Sequence, residues 1–292
     1  MGSRGTGRGW GILAATLATG LLAALIAVAG FVGYVHERDP LPTVIDESEA
    51  LPAAVALDEP GRLVLDVTGT DLTIRPGPAG DPIRIAGSYD AAASELASEY
   101  TTYGEAGWTY HLRLGPNGLV QRIASRPGSH IEITLPADVP IVVEGSFGGA
   151  DAEIELGGLW IVRTDLELVG GDHRIVFSEP LLKPMERLSL DAPRGELTLV
   201  ELGNASPADV RIIKESGDAC VDLRGAWQAD TRLVVDCRIG NCDLHRPGGA
   251  DALLSIAGQE GGVNEARLPV IELAATDRLI GGVEVSDSLP GS

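Results

Sequence analysis

Two groups of residues in this chain have types and spacings that could carry chemistry. Cys237, Cys242, Asp243 and His245 spell C-x4-C-x2-H, and thiolate plus imidazole is a ligand set that zinc accepts. A structural zinc site needs a second matching pair, and none accompanies this one. Cys237 and Cys242 also flank Gly240 and fall on apolar rows, so buried free thiols rank first, a disulfide second and a metal third. With Cys220 there are 3 cysteines, too few for a disulfide framework. The second group is a set of acids: Glu153, Glu155, Asp165, Glu167, Asp222 and Asp243. Polysaccharide-cleaving enzymes built on parallel β-helices use acids projecting from one face. Acid/base chemistry needs such acids grouped, with one held protonated. Here they are spread over different strands and expected to point into solvent, which argues against catalysis.

Other chemical signatures are missing. There is no Gly-x-Ser-x-Gly elbow and no phosphate-binding loop, and Gly5 to Gly9 is glycine-rich without a preceding strand. No cofactor motif is present. The histidines, His36, His111, His130, His173 and His245, are scattered and read as surface residues. Tyr89, Tyr100, Tyr103, Trp108 and Tyr110 cluster in one region. They read as side packing on the fold or, more sharply, as a patch contacting a protein or carbohydrate.

The elements that would position these residues follow a repeat. Paired apolar residues separated by one position occur at Ile154/Leu156, Ile175/Phe177, Leu197/Leu199, Val221/Leu223 and Cys242/Leu244. A second series runs Leu166/Leu168, Leu188/Leu190, Val210/Ile212, Leu233/Val235 and Leu254/Ile256. Alternation with period two marks strands, and a recurrence of about 22 residues marks stacked repeat units. Polar residues fill most skipped places, although Val176 and Val234 break the rule. Leu199 and Val235 are expected inside, with Thr198 and Asp236 outside. Glycines punctuate the corners, among them Gly170-Gly171, Gly195, Gly217 and Gly240. One copy has too little apolar surface to fold alone, whereas stacked copies share a narrow core. The fold class expected is all-β, a β-solenoid of stacked two-strand coils, with an antiparallel sandwich as the competing arrangement.

Composition agrees with a thin aliphatic core: aromatics are 4 % of 292 residues, and there are 38 glycines. The formal net charge of −20 disfavours nucleic acid and an anionic lipid surface as partners.

The chain divides as follows. Residues 1–10 form a short leader with Arg4 and Arg8. The run 11–35 opens on Gly11, closes on Val35 and carries no charge. As a helix it spans about 37 Å, enough to cross a bilayer. The positive leader puts the N-terminus in the cytoplasm and the remainder outside it as a single-pass protein. Ala27-Val28-Ala29 before Gly30 has the form of a signal-peptide cleavage site, and the length of the apolar run favours an uncleaved anchor. Residues 36–59, with several prolines and acids, read as an extended linker. The β-domain runs over 60–285 and is interrupted by an irregular layer at 88–128, where Asp90 to Leu96 could start a short helix. Strand patterns at 63–67, 72–74 and 83–85 read as early coils. Residues 270–285 read as terminal strands capping the stack, and 286–292 as a fraying tail.

Several stretches carry a family likeness: Ile131-Glu-Ile-Thr-Leu-Pro136, Gly157-Gly158-Leu159, Leu202-Gly-Asn-Ala205, the run from Gly217 to Trp227 and that from Arg238 to Pro247. Over about 60–285 the chain resembles the bacterial toastrack, or candidate-adhesin, β-solenoid domains, including the C-terminal parts of membrane proteins in cell-wall-antibiotic response systems. The resemblance implies an extracytoplasmic β-solenoid behind membrane segments, in an envelope-stress or adhesin-like context, with no catalytic residues to carry over. The response proteins tend to have several membrane segments, and this chain has one. Together these observations point to binding or scaffolding at the cell envelope, with a protein or wall polymer as partner and a carbohydrate-active β-helix enzyme as the alternative.

Overall fold

In β2 (Gly61–Thr68) the inward residues Leu63, Leu65 and Val67 alternate with the outward Arg62, Val64 and Asp66, and this period-two code governs nearly every strand. The architecture is a computed structural model describing residues 42–49, 51, 59–105, 107–117, 129–247, 252–256, 269–280 and 283–286. The chain falls into two compact units, 1–41 and 42–292, and all described residues lie in the second. The leader and the apolar run 11–35 are therefore outside the described residues. Among those described, no helix is long and apolar enough to cross a membrane.

The described chain is all-β, an 18-stranded sheet folded onto two faces. On the first face the spatial order is β5 (Ser94–Tyr103), β6 (Gly107–Pro116), β2, β8 (Ile141–Gly148), then the opening part of β10 (Ile161–Val176) and of β11 (Arg187–Val200). It continues through β12 (Asp209–Lys214), β14 (Thr231–Ile239), β17 (Val270–Ile280) and β16 (Leu253–Ile256). The second face runs β1 (Thr43–Glu49), β4 (Ile83–Tyr89), β7 (His130–Pro136), β3 (Asp71–Gly77), β9 (Ala152–Glu155), then the closing parts of β10 and β11. It ends with β13 (Ala219–Asp222), β15 (Cys242–His245) and β18 (Val283–Ser286). From β6 and β7 onward every ladder is parallel, and only β1, β4 and β5 introduce antiparallel pairs.

Parallel register turns the alternating code into columns. Leu188, Val210, Leu233 and Leu273 stack on the first face, and Ile74, Ile154, Ile175, Leu199, Val221 and Leu244 on the second. All of these residues are buried. Each removes about 1.5–3 kcal/mol worth of apolar surface from water. Leu199 and Val235 face inward as expected, while Thr198 and Asp236 are only half-buried.

Successive passes are joined by two corners. The short corner, from the first face to the second, is a column of tight turns in which Gly171, Gly195, Gly217 and Gly240 have positive φ. A Cβ on Gly195 would collide with the Gly171 carbonyl oxygen, and one on Gly217 with that of Gly195. The long corner returns the chain through irregular segments such as 177–186 and 223–230.

Several expectations are corrected. Part of the linker is structured: Thr43–Glu49 pairs antiparallel with β4, and Ile45 inserts into the core at 5 % exposure. Asp90 to Leu96 is a turn leading into β5, not a helix, because β5 satisfies its backbone against β6. The layer from 88 is accordingly a regular hairpin over 94–116, while 118–128 fall outside the described residues. Leu254 and Ile256 do not neighbour Leu233 and Val235, because β17 lies between β14 and β16. Ser286 belongs to a strand, and 287–292 lie outside the described residues.

Candidate functional site

The cysteine cluster is a cross-link. Cys237 and Cys242 form a disulfide across the short corner, with Cα atoms 6.5 Å apart, which reverses the ranking that put free thiols first. The reason is geometric: Cys237 lies two residues before the end of a first-face strand, Cys242 opens a second-face strand, and both point inward where the chain doubles back. Cys220 is a free, half-buried thiol, and burial with the nearby carboxylates Asp243 and Asp222 pushes its pKa up, away from thiolate chemistry. Among the described residues no group of histidine, cysteine and acid side chains could hold a metal ion.

His245 is buried, contrary to its surface reading, and so is His173. His245 sits in register between Asp222 on β13 and Ser286 on β18, with its Nδ1 2.9 Å from the Ser286 hydroxyl. An aspartate, a histidine and a serine on adjacent strands invite comparison with a nucleophilic triad. The geometry does not make one. Asp222 accepts from Arg224 at both carboxylate oxygens, at 2.8 and 2.6 Å, and from the Arg224 amide at 3.0 Å. Burial raises the Asp222 pKa, but the Arg224 bonds override it and hold the carboxyl below its ordinary range. The Ser286 contact uses the His245 Nδ1, while Nε2 is buried without a partner, so Asp222 does not hold the ring opposite the serine as a triad aspartate would.

The remaining acids are dispersed. Asp165 and Glu167 belong to the first face, and Glu153, Glu155 and Asp243 to the second. Glu155 accepts amide bonds from Gly157 (2.7 Å) and Ser178 (3.2 Å) and so caps a turn. Asp165 bridges Arg163 and Arg187 at 2.6 and 2.9 Å, while Glu144 bridges Arg62 and Arg163, giving an ionic ladder across β2, β8, β10 and β11.

The aromatic cluster is not one exposed patch. Trp108 and Tyr110 lie on the inward phase of β6 at 0 % and 2 % exposure. Tyr110 donates to Glu47 at 2.8 Å, and burial together with that carboxylate raises its phenol pKa. Tyr100 stacks on Trp108 with centroids 6.5 Å apart, and Tyr89 packs against the core. Tyr103 is exposed and donates to the Pro60 carbonyl at 2.6 Å.

Sequence reading missed a groove on the outer surface of β12 and β14, about 300 Å³, lined by Asp209, Arg211, Ile213, Arg232, Val234 and Asp236. Its signal was the apolar Val234 in a polar place, repeated by Ile213 on the next strand. In register, Arg211 lies beside Val234 and Ile213 beside Asp236. Among the described residues neither Arg211 nor Arg232 forms an ion pair, unlike the arginines of the ionic ladder. The groove therefore offers two arginine heads and two carboxylates, Asp209 and Asp236, beside half-buried aliphatic surface.

No family model matches the chain. No curated protein matches it either. Among solved structures it is similar to a candidate cell adhesion protein from Clostridium sporogenes ATCC 15579, with 12 % identity, a TM-score of 0.42, and coverage of 84 % of this chain and 98 % of that one. It is also similar to a candidate adhesin from Parabacteroides distasonis ATCC 8503, with 13 % identity, a TM-score of 0.26, and coverage of 85 % and 98 %.

Proposed function

We propose that the chain is a β-solenoid scaffold, anchored by residues 11–35 and held outside the cytoplasm, that binds a protein or wall polymer of the bacterial envelope along its outer strand faces. The observation carrying the binding reading is the groove over β12 and β14, where Arg211 and Arg232 flank Ile213 and Val234. Arginine is enriched in contact sites relative to the rest of a protein surface. The Cys237–Cys242 disulfide supports an oxidising compartment. The parallel ladders, one pass stacked on the next, support the solenoid reading. An envelope-stress or adhesin-like role is the context that the toastrack resemblance suggests.

The binding test compares cross-linked partners of the full-length chain in envelope fractions with those of an Arg211→Ala/Arg232→Ala variant. Arg62→Ala, in the ionic ladder, serves as the control. Loss of a partner from the double variant alone supports the reading, and an unchanged set of partners removes the groove. Turnover of a wall polysaccharide by the purified protein would replace binding with catalysis. For the anchor, a mature chain beginning at Gly30 by mass spectrometry would mean the apolar run is a cleaved signal.

A further inference from the structure

The two ends of the stack are stepped, and the steps are complementary. At the end formed by N-terminal strands, β6 and β7 make a paired layer, and β5 and β4 make the next one out. Beyond that, β1 adds a strand to the second face through β4. Among the described residues nothing sits opposite it on the first face. At the other end, β17 and β18 make a paired layer over β14 and β15. There, among the described residues, β16 adds a strand to the first face alone, through β17. One end overhangs on the second face, the other on the first.

We propose that copies of this chain join end to end by a half-lap, the β1 of one copy and the β16 of the next sharing a single layer. In that joint β16 meets the edge of the neighbour's β5 on the first face, and the neighbour's β1 meets the edge of β18 on the second, both edges open among the described residues. Strand directions permit both ladders. β1 is antiparallel to β4, which is antiparallel to β7, so β1 runs with the body of the stack and meets β18 in parallel. β5 runs against the body and meets β16 antiparallel. The joint continues the ladders and the two-faced core already present within each copy. It also pairs edge amides and carbonyls that otherwise form a template for strand addition. The contact is heterologous, because different surfaces meet, and repetition yields an open linear series, not a closed dimer.

Backbone direction identifies where each ladder can be cut without removing a ladder hydrogen bond of the fold itself. The Asn117 amide donates to the Ala93 carbonyl (2.8 Å), so Ala93 faces β6. With unbroken register the backbone groups of Ser98, an odd number of residues further on, face the free edge. At the other end the Arg246 amide donates to the Ser286 carbonyl (3.1 Å), so Ser286 faces β15 and Val285 faces away. Proline is tolerated on an edge strand where its missing N–H would point outward. Ser98→Pro therefore removes the β5–β16 ladder, and Val285→Pro the β1–β18 ladder.

The experiment is sedimentation velocity on the full-length chain in detergent, which keeps the apolar run 11–35 in solution. The unmodified chain is expected to form a concentration-dependent series of species. Each single variant should be shifted toward monomer at an unchanged melting temperature. An equal mixture of the two should regain a dimer, because the unmodified C-terminal end of Ser98→Pro meets the unmodified N-terminal end of Val285→Pro. A chain that stays monomeric at every concentration overturns the proposal. So does dimerisation by either variant alone as strong as that of the unmodified chain, which would mean a symmetric contact. If either proline lowers the melting temperature, Thr102→Pro or Val283→Pro cuts the same ladder two strand periods or one period away and decides between the same outcomes.

Discussion

At the short corner the chain reverses in a few residues, and at the long corner it takes several more. The short corner relies on absent side chains: Gly171, Gly195 and Gly217 each lie against the carbonyl of the turn below, at φ values of 95, 87 and 95°. That closeness leaves carbonyls pointing inward, and Lys214 answers them. Its buried ammonium donates to Gly195 and Ser216 at 2.7 Å and to Ala192 at 3.2 Å. Burial lowers its pKa, while Asp218 and Glu196 oppose the shift. The long corner relies on side chains instead. Asn204 ties three passes together, donating to the Phe177 carbonyl (2.7 Å) and accepting from the Ala226 amide (2.9 Å). The Ser206 hydroxyl accepts from Gln228 and Ala229 at 2.8 and 3.0 Å, and Thr231 donates to Pro207 at 2.6 Å. The contrast shows that one stacking distance can be met by removing atoms or by spanning the gap with polar ones.

Four measurements would break or sharpen that contrast. The largest effect is expected from Gly195→Ala, which puts a Cβ against a backbone carbonyl in a left-handed conformation. The conformation costs roughly 1–2 kcal/mol and overpacking about 1–3 more. Denaturant unfolding should show that loss, and a change within about 0.5 kcal/mol would mean the turns are not close-packed.

Asn204→Ala should cost about 1–3 kcal/mol, because it strands a buried carbonyl and an amide. Asn204→Asp should restore only the accepting bond to Ala226. Equal unfolding midpoints for the Asp variant and the unmodified chain would show that the donor to Phe177 is dispensable.

Breaking the disulfide as Cys237→Ser/Cys242→Ser should cost at most about 2 kcal/mol, since the loop it closes is short. A fall much beyond that, by thermal unfolding, would mean that the disulfide organises the corner and does not merely pin it.

The smallest effect concerns pH. His173 lies edge-on to Phe147, with centroids 5.5 Å apart, and burial lowers its pKa from the ordinary 6.5. Lys214 lowers it further, whereas the Gly170 backbone, Asp151 and Asp172 act to raise it. The unfolded chain therefore takes up a proton that the folded chain refuses. Stability is full above 6.5 and is lost as pH falls from there toward the depressed folded value. His173→Leu should flatten this part of the profile, and an unaltered slope between the two proteins would assign the acid sensitivity elsewhere.

The sequence alone determined the phase of nearly every strand in the repeat. Alternation put Leu166, Leu168, Leu188, Leu190, Val210, Ile212, Leu233 and Val235 inside, and all are buried, although the structure stacks Leu166 on Leu190 and not on Leu188. The glycine corners were equally legible, because a stacked turn at positive φ admits almost nothing else. The order of the layers was not legible. β8 and β9 enter beneath β2 and β3, and β17 enters beneath β16, because every parallel edge offers the same backbone groups and local sequence does not say which edge a strand will meet. The environments of the polar residues were settled only in three dimensions. Asp222 and His245 fall on the outward phase of the strand code, Lys214 and His173 are polar types on its inward phase, and Trp108 and Tyr110 look like a contact patch. Their burial depends on carbonyls, an arginine or a neighbouring layer brought close by chain reversal, and no spacing along the chain encodes that proximity.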